Sequence, residues 1–166
     1  MSNVDPKVLT SFKAQAAHGA ETGVKKTDMF RVPPQDLYEE EGFNQRDYNS
    51  PECVAQIEGF AKAYAAGEYV PPLVVRIDPS SGRKLIVEGH QRRRGALLAI
   101  SRGVELPLLD CLPFRGNDVD RIVVQGRSER GLKLTPLGLS KLYLMLLRKG
   151  LTNTEIATRM DVSVTT

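Results

Sequence analysis

The fold of this chain depends on one stretch, in which an apolar run ends at a glycine, passes three arginines and then becomes helix-like: Leu85-Ile86-Val87-Glu88-Gly89-His90-Gln91-Arg92-Arg93-Arg94-Gly95-Ala96-Leu97-Leu98-Ala99-Ile100. We interpret this stretch as a strand, a tight turn and the start of a helix. Gly89 can adopt a positive φ, and the helix after it begins with unpaired N–H groups and the positive end of its dipole. Arginines beside a helix start favour a polyphosphate site. The alternative is a basic turn whose arginines are only solvated.

Two strands and a helix are predicted before this turn. The β-branched segment Leu73–Ile77 and the segment Lys84–Val87 flank the turn residues Asp78–Gly82, so we expect a hairpin that ends at Gly89. Farther upstream, Ser50-Pro51 is a typical helix start and Gly67 a typical helix end. The apolar face predicted for that helix comprises Val54, Ile57, Phe60, Ala61 and Tyr64.

Further elements are predicted on both sides of this unit. Met29–Val32 fits a short edge strand closed by two prolines, and an irregular loop should follow as far as Asn49. Its Arg46 can fold back onto a bound anion, whereas Glu39–Glu41 fits a solvated surface loop better than a metal site. After the central turn, we expect a helix that buries Ala96, Leu97 and Ile100, and then a buried strand over Leu106–Leu112.

The remainder of the chain has helical character. Val119–Val124 fits either a helix or a strand, and an apolar helix should run from Thr135 to Leu147. Thr152–Glu155 is a capping box that opens a helix resembling the first helix of a helix-turn-helix. The groove-reading helix would begin near Ser163 and the chain stops at Thr166, so we expect an incomplete DNA-binding domain. The candidate DNA-contacting residues are Thr152, Thr154, Ser163 and Thr165.

Composition is that of a globular protein. The chain has 166 residues, of which 41% are hydrophobic and 26% charged, and its net charge is +3. We expect an N-terminal mobile arm over residues 1–27, a first domain over 28–116 and a helical segment over 117–166. No apolar stretch suits a membrane span or a signal peptide, which favours the cytoplasm. The two cysteines, Cys53 and Cys111, fit small core residues rather than metal or thiol chemistry.

The order of these pieces resembles the N-terminal half of ParB-type partition proteins. That family has an α+β fold, a mixed sheet with helices related to sulfiredoxin, followed by an all-α helix-turn-helix. Its phosphate-binding motif is Gly-Glu-Arg-Arg-x-Arg-Ala, which Gly89, Arg92 and Arg94 match. The residues that depart from the motif are His90 and Gln91, in place of the Glu and the first Arg, and Gly95 in place of the Ala.

Three other segments carry the resemblance. The segment from Gly67 through Pro72 to Val74–Arg76 looks like the family's loop and strand that hold the cytidine end of CTP. Gln45-Arg46 is similar to the family's Gln-Pro-Arg segment without its proline, and Leu134–Pro136 resembles the entry to the helix before the helix-turn-helix.

One segment departs from the family. The family's Glu-Asn-x-x-Arg, which helps to coordinate magnesium and triphosphate, should fall near residues 124–130, where this chain reads Gln125-Gly126-Arg127-Ser128-Glu129-Arg130. Arg130 is the candidate for the arginine, and Glu129 is the candidate magnesium ligand. Because Mg²⁺ prefers carboxylate and phosphate oxygens, the loss of the glutamate should affect hydrolysis more than binding.

The resemblance implies a DNA-partition protein that binds CTP with Mg²⁺ as a switch for dimer clamp closure on DNA. It implies a homodimer, a ParA-type partition ATPase as partner and a location on the nucleoid or a plasmid, and it leaves open weak hydrolysis of CTP to CDP and phosphate. Two alternatives are a transcriptional regulator with a degenerate nucleotide site and a ParB-like nuclease. A nuclease would need clustered carboxylates, for which Asp110, Asp118 and Asp120 are the available residues. Sulfiredoxin chemistry requires a cysteine in the turn at Gly89–Arg92, where none exists.

Overall fold

The computed structural model describes residues 11–127 and 132–164. That part of the chain contains five strands, seven α-helices and one short 3₁₀ helix, Pro34–Asp36. The strands are β1 (Phe30–Val32), β2 (Leu37–Tyr38), β3 (Leu73–Ile77), β4 (Lys84–Glu88) and β5 (Leu109–Pro113). The helices are α1 (Phe12–Ala17), α2 (Gly19–Thr22), α3 (Pro51–Ala65), α4 (His90–Ser101), α5 (Asp118–Arg127), α6 (Pro136–Arg148) and α7 (Asn153–Met160).

The five strands form one mixed sheet in the order β1-β5-β3-β4-β2. The predicted hairpin is confirmed, since β3 and β4 pair antiparallel with Ile77 opposite Lys84. Strand β5 lies parallel to β3, with Cys111 opposite Leu73, and β2 lies parallel to β4. The predicted edge strand is also confirmed, because β1 pairs with β5 alone at one margin of the sheet. The α+β fold class expected from the sequence is therefore correct.

Helix α3 begins and ends where its sequence predicts. The Ser50 hydroxyl accepts a hydrogen bond from the Cys53 amide at 3.3 Å, and Pro51 occupies the first helical position. Of the apolar face predicted for α3, Ala61 is buried, whereas Val54 is 54% exposed, so its assignment to the core was wrong. Cys53 takes the buried position instead, because α3 turns a slightly different side toward α4 than the periodicity indicated.

Helix α4 packs closely along α3 through Gly95. A Cβ at this position would lie 2.5 Å from Phe60 Cβ and 2.9 Å from the Ile57 carbonyl oxygen. The glycine therefore allows the two helices to approach more closely than alanine would. The close approach buries the small residues Ala96 and Ala99, while the larger Leu97 and Ile100, predicted to be buried, lie only partly covered.

The structure corrects two other expectations and decides between two alternatives for a third segment. The segment predicted as an irregular loop up to Asn49 contains the 3₁₀ helix and β2, because the extended backbone of Leu37–Tyr38 completes the sheet edge beside β4. The ambiguous segment around Val119–Val124 is helical and belongs to α5. Strand β5 starts at Leu109 rather than Leu106, since Pro107 cannot donate to a ladder.

Two apolar clusters form the core. The first lies between the sheet and α4 and consists of Val32, Leu37, Leu73, Val75, Ile86, Ala96, Leu109 and Cys111. The second joins the loop residue Phe43 to α5, α6 and α7 and consists of Phe43, Ile122, Val123, Leu142, Leu146, Ile156 and Met160. The boundary near residue 117 stays a prediction, and Phe43 shows that an upstream residue supplies core to the helical part.

The C-terminal helices have the predicted caps. Thr135 caps α6, and the predicted capping box is present at α7, where the Thr152 hydroxyl and the Glu155 carboxylate each bind the other residue's backbone amide. Leu151 and Ile156 both contact the second apolar cluster, as expected of a hydrophobic staple. Within the described residues, no helix has the length and apolar character needed to cross a membrane.

Candidate functional site

The turn between β4 and α4 has the conformation predicted from its sequence. Gly89 caps α4 with a φ of 108°, in the left-handed region. A Cβ here would lie 2.7 Å from Leu73 Cγ and 3.3 Å from Arg92 Cζ. The first amide of α4 with an intrahelical partner is that of Arg93, which donates to the Gly89 carbonyl at 3.0 Å. The amides of His90 and Gln91 stand at the very start of the helix, where a helix has no carbonyl of its own for them to donate to.

A cavity lies beside this turn, between the sheet and the helical part of the chain. Its walls are formed by Glu88–Arg92 of the turn, by Asn44 and Arg46 of the loop before α3, and by Gln125 of α5. The space open to the centres of water molecules is about 40 Å³, which corresponds to about three waters. It therefore has room for one tetrahedral oxyanion.

Two buried polar side chains in this cavity lack hydrogen-bond partners among the described residues. They are His90, 4% exposed, through Nε2, and Gln125, 7% exposed, through both Nε2 and Oε1. Burial lowers the pKa of His90 to about 4, an effect that the nearby Glu39 carboxylate opposes and the guanidinium groups of Arg94, Arg46 and Arg93 reinforce. His90 is therefore neutral at pH 7. Because buried polar groups in proteins are normally paired, these atoms indicate a site for a polar ligand.

Arg92 is buried and binds the backbone of the neighbouring loop. Its Nη1 donates to the carbonyls of Pro71 at 3.0 Å and Pro72 at 2.6 Å, and its Nη2 donates to Glu88 Oε1 at 3.3 Å. Arg92 thus lines the cavity and at the same time holds the segment before β3 in place. Its loss would affect both the shape and the charge of the site.

Arg94 forms a two-pronged ion pair with Glu39. Its Nε and Nη2 donate to the two carboxylate oxygens at 3.0 and 2.7 Å, and its guanidinium lies 3.5 Å from the centre of the Tyr48 ring. Although burial opposes ionisation of Glu39, the hydrogen bond and charge of Arg94 hold the pKa of that carboxyl below its usual range. The prediction that Glu39–Glu41 is a solvated loop is therefore wrong for Glu39, which neutralises Arg94. Arg93 points away from the cavity and donates to the Pro34 carbonyl at 3.1 Å.

Arg46 connects the cavity to the helical part of the chain. Its Nη1 donates to the Leu132 carbonyl, just before α6, and its backbone amide donates to Asn44 Oδ1 at 3.0 Å. The side chain also borders a neighbouring groove lined by Leu132–Thr135. Arg46 lines the same cavity as the anion-binding turn, and its contact with a bound anion stays a prediction.

Of the remaining predicted site residues that the structure describes, Gly67 and Pro72 lie outside the cavity and Gln91 lines it. Gly67 follows the end of α3 and is exposed, and Pro72 contributes its carbonyl to Arg92 rather than a wall to the cavity. Gln91 does line the cavity and donates to Cys53 Sγ at 3.2 Å. Arg130 and Glu129 lie outside the described residues, as does Thr165.

The candidate DNA-contacting residues cluster around α7. The Thr152 hydroxyl caps the helix, so its visible role is structural, while Thr154 and Ser163 are exposed. Their proposed contact with DNA stays a prediction.

Sequence reasoning missed Gln125 as a site residue. The spacing of Arg121, Ile122 and Gln125 places all three on the inward side of α5, where each is buried. A polar residue at an inward helical position was the signal available in the sequence. It could be read only after α5 was known to be a helix.

The described residues do not fit a magnesium ion. No group of three or more His, Cys, Asp or Glu side chains in residues 11–127 and 132–164 is placed to hold a metal. Of the described cavity residues, Glu88 alone carries a carboxylate, and that carboxylate pairs with Arg92. Asp110, Asp118 and Asp120 form ion pairs with Arg31, Lys149 and Arg159, respectively, rather than a shared metal site.

Comparison with known proteins gives likenesses of fold. No protein-family model matches the chain, and no curated protein sequence matches it. The C-terminally truncated chromosome-partitioning protein ParB from Caulobacter crescentus, complexed to the centromeric parS site, superposes with a TM-score of 0.54 at 20% identity, covering 82% of this chain and 66% of that chain. The Pnob8-like ParB-N domain superposes with a TM-score of 0.52 at 11% identity, covering 81% of this chain and 60% of that chain.

The Caulobacter protein has also been solved with CTP-γ-S. This chain superposes on that complex with a TM-score of 0.49 at 20% identity, covering 82% of this chain and 73% of that chain, which is too low a score to carry an argument. The chain spans about two thirds of the length of the parS-bound protein. At these identities the likenesses concern architecture, and the architecture of this chain is that of the N-terminal part of the ParB chromosome-partitioning proteins.

Proposed function

We propose that this chain is a ParB-like DNA-partition protein that binds CTP at the Gly89 cavity and uses it as a switch for dimer clamp closure on DNA. The single observation that carries the nucleotide site is that His90 and Gln125, two of the residues that line a cavity at a helix start, each have buried side-chain atoms without a hydrogen-bond partner among the described residues. The partial match of Gly89, Arg92 and Arg94 to the family's phosphate motif supports the same assignment. The ParB that the chain resembles is bound to parS, which supports DNA as a partner.

The residues of this chain suit the phosphate end of a nucleotide. When bound, CTP would bring a triphosphate whose oxygens accept hydrogen bonds. The amides that begin α4 point toward such an acceptor, and Gly89 removes the Cβ that would clash with Leu73. Arg46 supplies positive charge across the cavity.

Arg46 offers a route from this site to the helical part of the chain. Its guanidinium donates to the Leu132 carbonyl, which precedes α6 by a few residues. An anion in the cavity would compete with the Leu132 carbonyl for the Arg46 guanidinium. One Nη group cannot donate to both acceptors with good hydrogen-bond geometry, because the two acceptors lie in different directions. Binding would therefore weaken the Arg46–Leu132 bond and release α6 from the loop before α3. We infer that this exchange is the start of the switch.

The direct test is calorimetric titration of the full chain with CTP, ATP and GTP in the presence of Mg²⁺. We expect CTP to bind and Arg46→Ala to weaken its affinity roughly 10-fold or more, since a charge-assisted hydrogen bond is lost. Arg102→Ala is the matched control, because Arg102 forms an exposed ion pair with Glu58 away from the cavity. Failure of all three nucleotides to bind would rule out the proposed site.

Clamp closure needs a separate measurement. Analytical ultracentrifugation with and without CTP, in the presence of a DNA fragment, should show a CTP-dependent increase in the dimer fraction. An unchanged monomer–dimer equilibrium would rule out a nucleotide-driven dimer switch, even if CTP binds.

One observation favours a second candidate, a DNA-binding regulator without a nucleotide. The three arginines of the turn already have intramolecular partners, namely the Pro71 and Pro72 carbonyls for Arg92, the Pro34 carbonyl for Arg93 and the Glu39 carboxylate for Arg94. A site that is satisfied in this way can be purely structural. Sequence-specific DNA binding that is indifferent to CTP would favour this second candidate.

A further inference from the structure

The donors that face the cavity are mostly uncharged N–H groups. Gln125 and Asn44 contribute side-chain amides and His90 a neutral imidazole, whereas Arg46 and Arg92 contribute the positive charge. Glu88, the carboxylate among the described cavity residues, lies 3.3 Å from Arg92. Mg²⁺ requires oxygen ligands, chiefly carboxylates, and usually binds through one or two of them together with the substrate phosphates. The described wall of the cavity is therefore built for an anion and not for a cation.

The unpartnered atoms locate the position of that anion. Gln125 Nε2 and His90 Nε2 are both buried, and both belong to residues that line the cavity beside the start of α4. An ionised phosphate oxygen accepts hydrogen bonds and donates none, so it suits an amide and an imidazole that each present an N–H. One phosphate group at this position would accept hydrogen bonds from Gln125 Nε2 and, in the tautomer that carries its proton there, from His90 Nε2.

We propose that a phosphate group of the nucleotide binds in this cavity without a divalent cation, held by Gln125, His90 and the Arg46 guanidinium. This inference rests on the proposed function, which supplies the nucleotide. It adds that Gln125 contacts the ligand and that the charge of the phosphate is neutralised by protein groups alone.

The test is titration of the full chain with CTP in two buffers, one with Mg²⁺ and one with excess EDTA. The expected result is an affinity that differs by less than about threefold between the buffers, since no metal ligand is lost in EDTA. Binding that appears only with Mg²⁺ would overturn this inference and leave the proposed function standing.

A pair of isosteric variants tests the role of Gln125. Gln125→Leu should weaken CTP binding roughly 10- to 100-fold in EDTA, because a hydrogen bond to a charged group is lost. Its melting temperature should not fall, since leucine replaces an amide that is buried and unpaired. Gln56→Leu is the matched control: Gln56 also has an unpaired side-chain oxygen, but it does not line the cavity. Equal CTP affinities for the two variants would overturn the role of Gln125.

A third titration, with inorganic triphosphate in EDTA, separates this inference from the proposed function. Binding of triphosphate and of no nucleotide would support the metal-free phosphate subsite and rule out the CTP switch. Binding of neither ligand would overturn both. The nitrogen and proton chemical shifts of the Gln125 side-chain amide should move on binding of either ligand, and unchanged shifts would contradict direct contact.

Discussion

At the residue scale, Gly89 is the glycine of the described residues that combines a positive φ with a close neighbour at the position of a Cβ. Its φ of 108° lies in a region that side chains rarely adopt, and Leu73 occupies the space where a Cβ would lie. The positive φ concerns the backbone and the close neighbour concerns packing. The energetic costs of backbone strain and of overpacking can be measured separately. Gly82 in the hairpin turn has a positive φ but no close neighbour at the position of a Cβ.

We predict that Gly89→Ala lowers the free energy of unfolding by about 2–4 kcal/mol, since backbone strain and overpacking both contribute. The matched control is Gly82→Ala, where φ is 69° and no atom lies within 4 Å of the added Cβ. That variant should cost about 1 kcal/mol. Urea denaturation followed by circular dichroism measures both, and equal losses would show that the contact with Leu73 has no energetic weight.

His90 makes the free energy of unfolding depend on pH, over a pH range higher than the one in which carboxyl groups ordinarily titrate. Its ordinary pKa is 6.5 and its folded pKa is about 4, chiefly because burial disfavours the imidazolium; the Glu39 carboxylate opposes this shift, and the guanidinium groups of Arg94, Arg46 and Arg93 add to it. The unfolded chain therefore binds more protons than the folded chain between these values. The stabilisation is complete above pH 6.5 and is lost as the pH falls toward 4.

We predict that the free energy of unfolding falls by about 2 kcal/mol between pH 7 and pH 5. In His90→Gln the decrease over the same interval should be much smaller, because the titrating group is gone. Urea denaturation at several pH values measures the slope. An identical slope in the wild type and in His90→Gln would assign the effect to another group.

At the element scale, the contact between α3 and α4 determines how the anion-binding turn is oriented. Gly95 lies one helical turn after Gln91 and places the backbone of α4 against Ile57 and Phe60. Any residue with a side chain here must push α4, and with it the open amides at its start, away from α3.

Gly95→Ala should lower the free energy of unfolding by about 1–3 kcal/mol, despite the better helix propensity of alanine. Gly59→Ala provides the opposite result in the neighbouring helix, since a Cβ on Gly59 meets no atom within 4 Å. That substitution should stabilise the protein by about 0.5–1 kcal/mol. Thermal unfolding of the two variants is sufficient. Stabilisation by Gly95→Ala would mean that the helices can separate without loss.

At the scale of the whole molecule, an ion-pair network links the sheet to the helical part. Arg121 on α5 is buried, lies 4.4 Å from the centre of the Phe43 ring, and pairs with Glu40 and with Asp118 at 3.0 Å. Asp118 in turn pairs with Arg76 of β3 and with Lys149 after α6. The network thus connects four segments around the second apolar cluster.

We predict that Arg121→Ala lowers the free energy of unfolding by about 2–3 kcal/mol, since it removes the packing of a buried side chain on Phe43 and takes a cation from the Glu40 and Asp118 carboxylates. The control is Arg159→Ala, which breaks an exposed pair with Asp120 at 3.0 Å. It should cost less than about 1 kcal/mol. Chemical denaturation in low and high salt measures both. Equal effects would indicate that the network is an ordinary surface arrangement.

The local elements of the fold could be predicted because their determinants are close in sequence. Ser50-Pro51, the hairpin around Asp78–Gly82 and the Thr152–Glu155 capping box each specify a structure within a few residues. By contrast, β2 has two residues and depends on pairing with β4, so its own sequence carries little signal. Val54 was wrongly assigned to the core because helical periodicity does not fix which of two adjacent residues, here Cys53 and Val54, points toward the core.

The sequence by itself determined the anion-binding turn: the strand, the positive-φ glycine, the helix start and the arginines all follow from local chemistry around Gly89. Only the tertiary structure decided what each polar side chain does there. It paired Arg94 with Glu39, directed Arg92 to the Pro71 and Pro72 carbonyls, and brought Gln125 from α5 beside His90. The physical reason is that conformational preferences act over a few residues, whereas charge pairing and burial depend on which distant segments meet in space.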